Sequence, residues 1–149
     1  MGNRYTVVQS NITPTAGSDI ITIVSPANRR ARVVEVSVAG RGTTSAAQQV
    51  ELARSTIGTS GGGALTPSKF EHSDQPAAAS VVNTTWSVQP TIETHRIVMG
   101  FNALGGAFRW TAPQGKNAIE ARNGENISLR ASSGVTFQAI SVSVVFEED

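Results

Sequence analysis

Hydrophobic and polar positions alternate with a period of two along most of this chain. The alternation is clearest at the C-terminus, where Ile140, Val142, Val144 and Phe146 fall on one face and Ser141, Ser143 and Glu147 on the other. Side chains of an extended chain point alternately to opposite faces, so this pattern predicts a half-buried β-strand. The same reading sets Val34, Val36 and Val38 against Val33, Glu35 and Ser37, and Thr84, Trp86 and Val88 against Thr85 and Ser87. Further apolar runs at 5–8, 20–24, 50–53, 97–101, 107–110 and 127–129 bring the expected count to eight to ten strands.

The punctuation agrees with that pattern. Prolines 14, 26, 67, 76, 90 and 113 all lie between the apolar runs, as expected of a residue that cannot donate a ladder hydrogen bond. Asn123-Gly124 is the strongest turn signal, since both residues tolerate positive φ, and it predicts a type I′ hairpin joining 118–122 to 125–130. No stretch sustains a 3.6-residue apolar period; at most Asp74 caps a short helix running into PAAASVV, with Pro76 in its first turn. Many strands without alternating helices predict an all-β fold: an antiparallel β-sandwich of jelly-roll type. No internal repeat argues for a propeller or solenoid.

One passage breaks the rhythm. Residues 58–82, GTSGGGALTPSKFEHSDQPAAASVV, separate the run ending near Arg54 from that starting near Val81. Loops longer than about 12–15 residues are uncommon in compact domains and are usually functional or disordered. Its glycine triplet reads as flexible, whereas Leu65, Phe70 and the two prolines are rigid or apolar enough to lie against a surface. The passage is therefore expected to be a contact arm from which residues 60–78 can be deleted with loss of partner binding but not of the fold. The domain is 1–149, with residues 1–10 a candidate N-terminal arm.

Composition narrows the chemistry. At 149 residues the chain is long enough for one domain with its own core. Without cysteine, thiolate catalysis, disulfides and thiolate metal sites are excluded. Charged residues are 15%, below the ~25% of an average domain, while serine and threonine number 31. Ten of the twelve basic residues are arginine, the cation enriched at protein interfaces. No apolar run reaches the roughly 18 residues of a membrane span, and no membrane partner is expected. Met1 to Thr6 fit a myristoylation pattern at Gly2, against which stands an ordinary start followed by a strand.

Candidate catalytic groups are sparse. His72 with Glu71 or Asp74, or His95 with Glu93, are the available metal-ligand combinations, at no recognised spacing. No Gly-x-Ser-x-Gly elbow is present, and GTSGGGALTPSK lacks the Gly-Lys-Ser/Thr of a phosphate loop. A glycosidase pair needs only proximity in space, but of the eleven acids Glu147, Glu148 and Asp149 read as a solvated tail. Arg29, Arg30 and Arg32 form a basic cluster. With net charge +1 and few aromatics, it reads as a partner contact in preference to a nucleic-acid groove, which needs a larger field and exposed stacking rings. No nucleic-acid partner and no cofactor is expected.

The strand ARVVEVSVAG, the excursion TPSKFEHSDQPAAASVV, the segment MGFNALGGAFRWTAPQG, the hairpin AIEARNGENISLRA and the ending AISVSVVFEED together resemble the small jelly-roll structural proteins of tailed bacteriophages, nearest the capsid decoration or cement class. The resemblance spans roughly residues 30–149 and carries no residue-level motif. It implies a non-enzymatic homotrimer on the capsid exterior of the virion, bridging subunits of the major capsid protein. In that reading Arg4, Tyr5, Lys69, Phe70 and His72, then Arg29, Arg30 and Arg32, are the partner-binding residues, chosen on expected exposure. The same pattern also suits trimeric receptor-binding modules, carbohydrate-binding domains and tail components. A carbohydrate module is expected to expose an aromatic platform, whereas Trp86 and Trp110 read as inward. An enzyme would be marked by His72, His95 and a carboxylate converging in one pocket.

Overall fold

The computed structural model describes residues 2–56, 59–113, 119–123 and 125–149, with the side chains of residues 59–61 and 95 outside the description. Among the described residues no helix forms, and thirteen strands appear: β1(Asn3–Ile12), β2(Asp19–Val24), β3(Arg30–Gly40), β4(Ala47–Ser55), β5(Thr59–Gly62), β6(Ser68–Lys69), β7(Val81–Asn83), β8(Thr85–Val88), β9(Ile92–Asn102), β10(Ala107–Thr111), β11(Glu120–Arg122), β12(Asn126–Ala131) and β13(Ile140–Glu148). All six prolines lie outside them.

The eight longest strands nest. In chain order the first pairs with the eighth (β1 with β13), the second with the seventh (β2 with β12), the third with the sixth (β3 with β10) and the fourth with the fifth (β4 with β9), every pair antiparallel. Two further pairings, β3 with β13 and β4 with β12, join these into sheet A, in the order β10-β3-β13-β1-β6, and sheet B, in the order β7-β2-β12-β4-β9. A long hairpin rolled into two facing sheets is the jelly-roll arrangement, so the expected all-β sandwich is the fold observed.

The inward rows form the core. Ile140, Val142, Val144 and Phe146 are all buried, as their alternation predicts. The register sets Phe146 beside Tyr5 and Val144 between Val7 and Val36, and the rings of Tyr5 and Phe146 lie 5.5 Å apart. From sheet B come Ile21, Ile23, Val50, Leu52, Met99, Ile127 and Leu129. In β3 the predicted faces need correction. Glu35 pairs with Val145 but Val33 with Phe146, so Val34 is an extra residue in a β-bulge. The bulge turns Val33 inward with Val36 and Val38, all three buried, whereas uninterrupted alternation put Val33 on the opposite face.

The Asn123-Gly124 prediction is half right. Glu125 N–H reaches the Arg122 carbonyl at 3.0 Å and Asn123 has φ 48°, so a tight turn is made, with Gly124 and residue 118 outside the described residues. Yet β11 pairs with β3 in sheet A while β12 lies in sheet B, so the turn is a corner between the sheets and not a hairpin. Both edges of β12 are occupied, by β2 and β4, which leaves no edge for β11.

The other expectations to revise concern the arms. Residues 3–10 belong to β1, which lies inside sheet A between β13 and β6. The passage 58–82, instead of projecting, is stitched to the body. Its β5 pairs with β8, β6 adds to β1, Leu65 bridges Val82, and β7 adds to β2. No helix starts at Asp74; a turn closes there, Gln75 N–H to the His72 carbonyl at 3.3 Å. Gln75 is 1% exposed and donates to the Arg4 carbonyl, while Tyr5 Oη–H donates to the Pro76 carbonyl at 3.0 Å. A removable arm is not what these bonds describe.

A third layer covers the outer face of sheet B. Thr22 and Ser128 lie on that face and are fully buried; Trp86 of β8 donates its indole N–H to Thr22 Oγ1 at 2.9 Å, and the Ser128 hydroxyl lies 2.7 Å from that of Ser55. Trp86 thus turns inward, but onto the back of the sheet and not into the sandwich core; Trp110 packs against the core itself. Beneath this cover Asp19 Oδ2 accepts from the Thr22 and Ser128 hydroxyls, and Oδ1 accepts from Arg130 Nε at 2.6 Å. Arg130 also donates to the Pro90 carbonyl and the Asp19 N–H to Gln89 Oε1, which fastens residues 86–90 to the sheet. A buried charge stripped of its partner is expensive. Asp19→Ala is expected to strand Arg130 and cost about 3 kcal/mol, seen in urea unfolding as a lower midpoint with an unchanged slope.

Candidate interaction surface

Strand register spells out the outer face of sheet A, because directly paired residues project to the same side. One row reads Arg4, Glu147, Arg32, Glu120 across β1, β13, β3 and β11. The next reads Thr6, Val145, Glu35, Thr111, and the one after it Val8, Ser143, Ser37, Arg109. The middle of the face is therefore small, hydroxylated or aliphatic, with Glu35 and Arg109 paired to each other at 2.8 Å. Val8 stands 53% exposed on it.

The first row is electrostatic, and it is organised by residues that read as a solvated tail. Glu147 and Glu148 are each 3% exposed, because β13 runs to its end inside the sheet with strands on both sides. Glu147 accepts from Gly2 N–H at 2.8 Å, pairs with Arg32 at 3.0 Å, and lies 3.7 Å from Arg4 Nε, which is too far for a hydrogen bond. Glu148 accepts the backbone N–H groups of Ala79 and Ser80 and has Arg29 at 4.0 Å. Gly2 approaches so closely that a β-carbon there would sit 2.1 Å from the Glu148 carbonyl oxygen, which gives this glycine a structural role.

These two carboxylates gather most of the sequence-predicted contact residues at one end of the sandwich. Arg4 and Arg32 are half-exposed and tied to Glu147; Arg29 is exposed beside Glu148. Arg30 is exposed and makes no ion pair among the described residues, while its carbonyl accepts from Asp149 N–H. Arg29 and Arg30 share a cleft with Arg122, Asn28, Asn123 and Asp149. Phe70 lies opposite Arg4, its N–H bonded to the Arg4 carbonyl at 3.1 Å, and its side chain is 52% exposed. Lys69 and His72 are exposed on the same edge, and Lys69 Nζ donates to the Ser73 carbonyl. Tyr5 is the exception: at 1% exposed it belongs to the core and is unavailable to a partner.

Glu147 and Glu148 were the residues missed. Two signals pointed to them: Glu147 continues the outward row of β13, and a chain with five arginines at 4, 29, 30, 32 and 122 needs anions near them.

Among the described residues no three His, Cys, Asp or Glu side chains group as metal ligands. His95 lies on β9, the far edge strand of sheet B, whereas His72 follows β6 at the edge of sheet A beyond β1, so the backbone does not bring the two together. Comparison with protein-family models, curated proteins and solved structures finds no match.

Burial pushes the Glu147 carboxyl up, but the Gly2 N–H together with Arg32 and Arg4 outweighs it and holds the group below its ordinary value of 4.5. A carboxyl depressed on folding stabilises the native state above its unfolded value, and the stabilisation is lost as pH falls through the folded value. Stability is therefore expected to drop on acidification below about pH 4. Glu147→Gln is expected to cost about 2–3 kcal/mol at pH 7 and to flatten the acid limb, read by urea unfolding at a series of pH values.

Proposed function

We propose that this chain is a non-enzymatic structural protein of a virion, one that assembles with copies of itself and decorates the exterior of a bacteriophage capsid by bridging major capsid subunits. The observation that carries the reading is Phe70. It is a half-exposed aromatic on backbone pinned to β1, beside Arg4, Lys69 and His72. An aromatic anchor with flanking cations is the composition of an interaction hot spot, and a fixed backbone reduces the ordering cost of binding. The complementary surface on the shell would offer an apolar pocket to Phe70 and carboxylates to Arg29 and Arg30.

Self-assembly, in this reading as a trimer, has its own support. The middle of the sheet A face carries Thr6, Val8, Ser37, Ser143 and Val145 around a single internally satisfied ion pair. Such a face costs less to desolvate against a copy of itself than one bearing unpaired charges. A ligand that binds only the assembled lattice stabilises it by mass action, and an oligomer engaging several subunits at once converts weak contacts into firm attachment.

Cosedimentation with undecorated capsid shells tests the proposal. The wild-type protein is expected to pellet with the shells. Phe70→Ser is expected to weaken attachment by about thirtyfold, the effect of removing a hot-spot side chain, and adding Arg30→Glu, at an exposed arginine with no ion pair among the described residues, to weaken it further while leaving the urea midpoint near that of wild type. Failure of the wild type to pellet overturns the capsid reading. Sedimentation equilibrium showing a monomer at micromolar concentration overturns the self-assembly.

A further inference from the structure

We infer that the cleft between the β1–β2 turn and the β8 cover is a binding site for a neutral saccharide, separate from the surface proposed to meet the shell. The cleft holds about 370 Å³, within the ~300–1,000 Å³ usual for small-ligand sites. It opens at the end of β1 opposite to Arg4: Gln9, Ile12, Thr13 and Thr15 line one side, and Thr85, Trp86 and Gln89 the other.

Its chemistry selects the ligand class. Gln9 is held by one bond, Nε2 to the Ile20 carbonyl at 2.7 Å, which leaves its side-chain oxygen as an acceptor. Gln89 is held the other way round, Oε1 accepting from Asp19 N–H at 3.0 Å, which leaves its NH₂ as a donor. Anchored amides of opposite polarity, with threonine hydroxyls between them, match a ligand whose groups both donate and accept, as sugar hydroxyls do. Trp86 is half-buried and fixed by its bond to Thr22, so it meets the ligand as a rigid apolar wall, the counterpart of a sugar's C–H face.

Charge excludes the alternatives. The one ionised group on the lining, Asp19, has Arg130 on one oxygen and the Thr22 and Ser128 hydroxyls on the other. A phosphate, carboxylate or ammonium entering the cleft would lose water and find no free counter-charge, which is costly. A neutral polyhydroxylated ring meets no such penalty.

The test is ¹⁵N NMR of the full chain. It follows the indole N–H of Trp86 and the side-chain amides of Gln9 and Gln89 through titrations with neutral hexose and N-acetylhexosamine oligosaccharides, and with uronic-acid and sulfated ones. The expected result is saturable shifts of these three side chains with at least one neutral oligosaccharide, weakened at least about tenfold by Thr85→Arg. That substitution fills the cleft from an exposed strand position without touching the Asp19 layer, and its dispersed spectrum reports that the fold is kept. No shifts with any neutral sugar at tens of millimolar, shifts confined to the charged sugars, or binding unchanged in Thr85→Arg would each overturn the inference. Thr85→Arg leaves the Phe70 end intact, so capsid cosedimentation stands or falls independently.

Discussion

The burial of two adjacent carboxylates at the end of β13 is the constraint on which the arginine-rich end of the molecule depends. A carboxylate taken out of water has to be repaid in hydrogen bonds and opposite charge, and Glu147 and Glu148 draw these from three places in the chain. Gly2 and Arg4 come from the chain start and the head of the first strand, Arg29 and Arg32 from the approach to the third and its first residues, and the N–H groups of Ala79 and Ser80 from the long excursion. The chain start, the arginine cluster and the excursion are otherwise remote in sequence. One local electrostatic requirement places them side by side.

Asp19 does the same work on the other sheet. Its carboxylate gathers Thr22, Ser128 and Arg130, and the Trp86 cover is held down by the bonds of Arg130 to the Pro90 carbonyl and of the Asp19 backbone N–H to Gln89. The hydrophobic core between the sheets is built from aliphatic rows that tolerate many neighbours. The carboxylate centres accept few arrangements, since each unsatisfied bond in a buried site costs what a hydrogen bond is worth. In this sandwich, then, aliphatic burial gives cohesion and the buried acids decide where the irregular segments lie.

That division bears on function. Segments outside the eight long strands are commonly mobile, yet here residues 65–82 carry pairing to β1 and β2, a buried Gln75 and a core Val82. Phe70 is consequently presented from a fixed frame. The two proposed surfaces lie at opposite ends of β1, about eight residues or roughly 27 Å apart at strand rise, so occupation of one would not obstruct the other.

The alternation in β13, the proline punctuation and the lack of helical period sufficed for an all-β sandwich, because period two and the exclusion of proline from ladders are local properties of backbone geometry. The exposure of Phe70, Arg29 and Arg30 was legible for a similar reason: they lie in stretches flanking apolar runs. Tertiary structure alone decided the rest. The Val34 bulge is a one-residue shift in the register of β3 against β13; the Asn123 turn became a corner because β2 and β4 take both edges of β12. Tyr5 went inside and Glu147 and Glu148 were buried because partners far away in the chain, from Ala79 and Ser80 to Gly2 and Phe146, reached them. A loop glutamine such as Gln75 carries no mark of burial either. Alternation records which way a side chain points, whereas burial depends on what arrives to cover it, and that is a property of the whole fold.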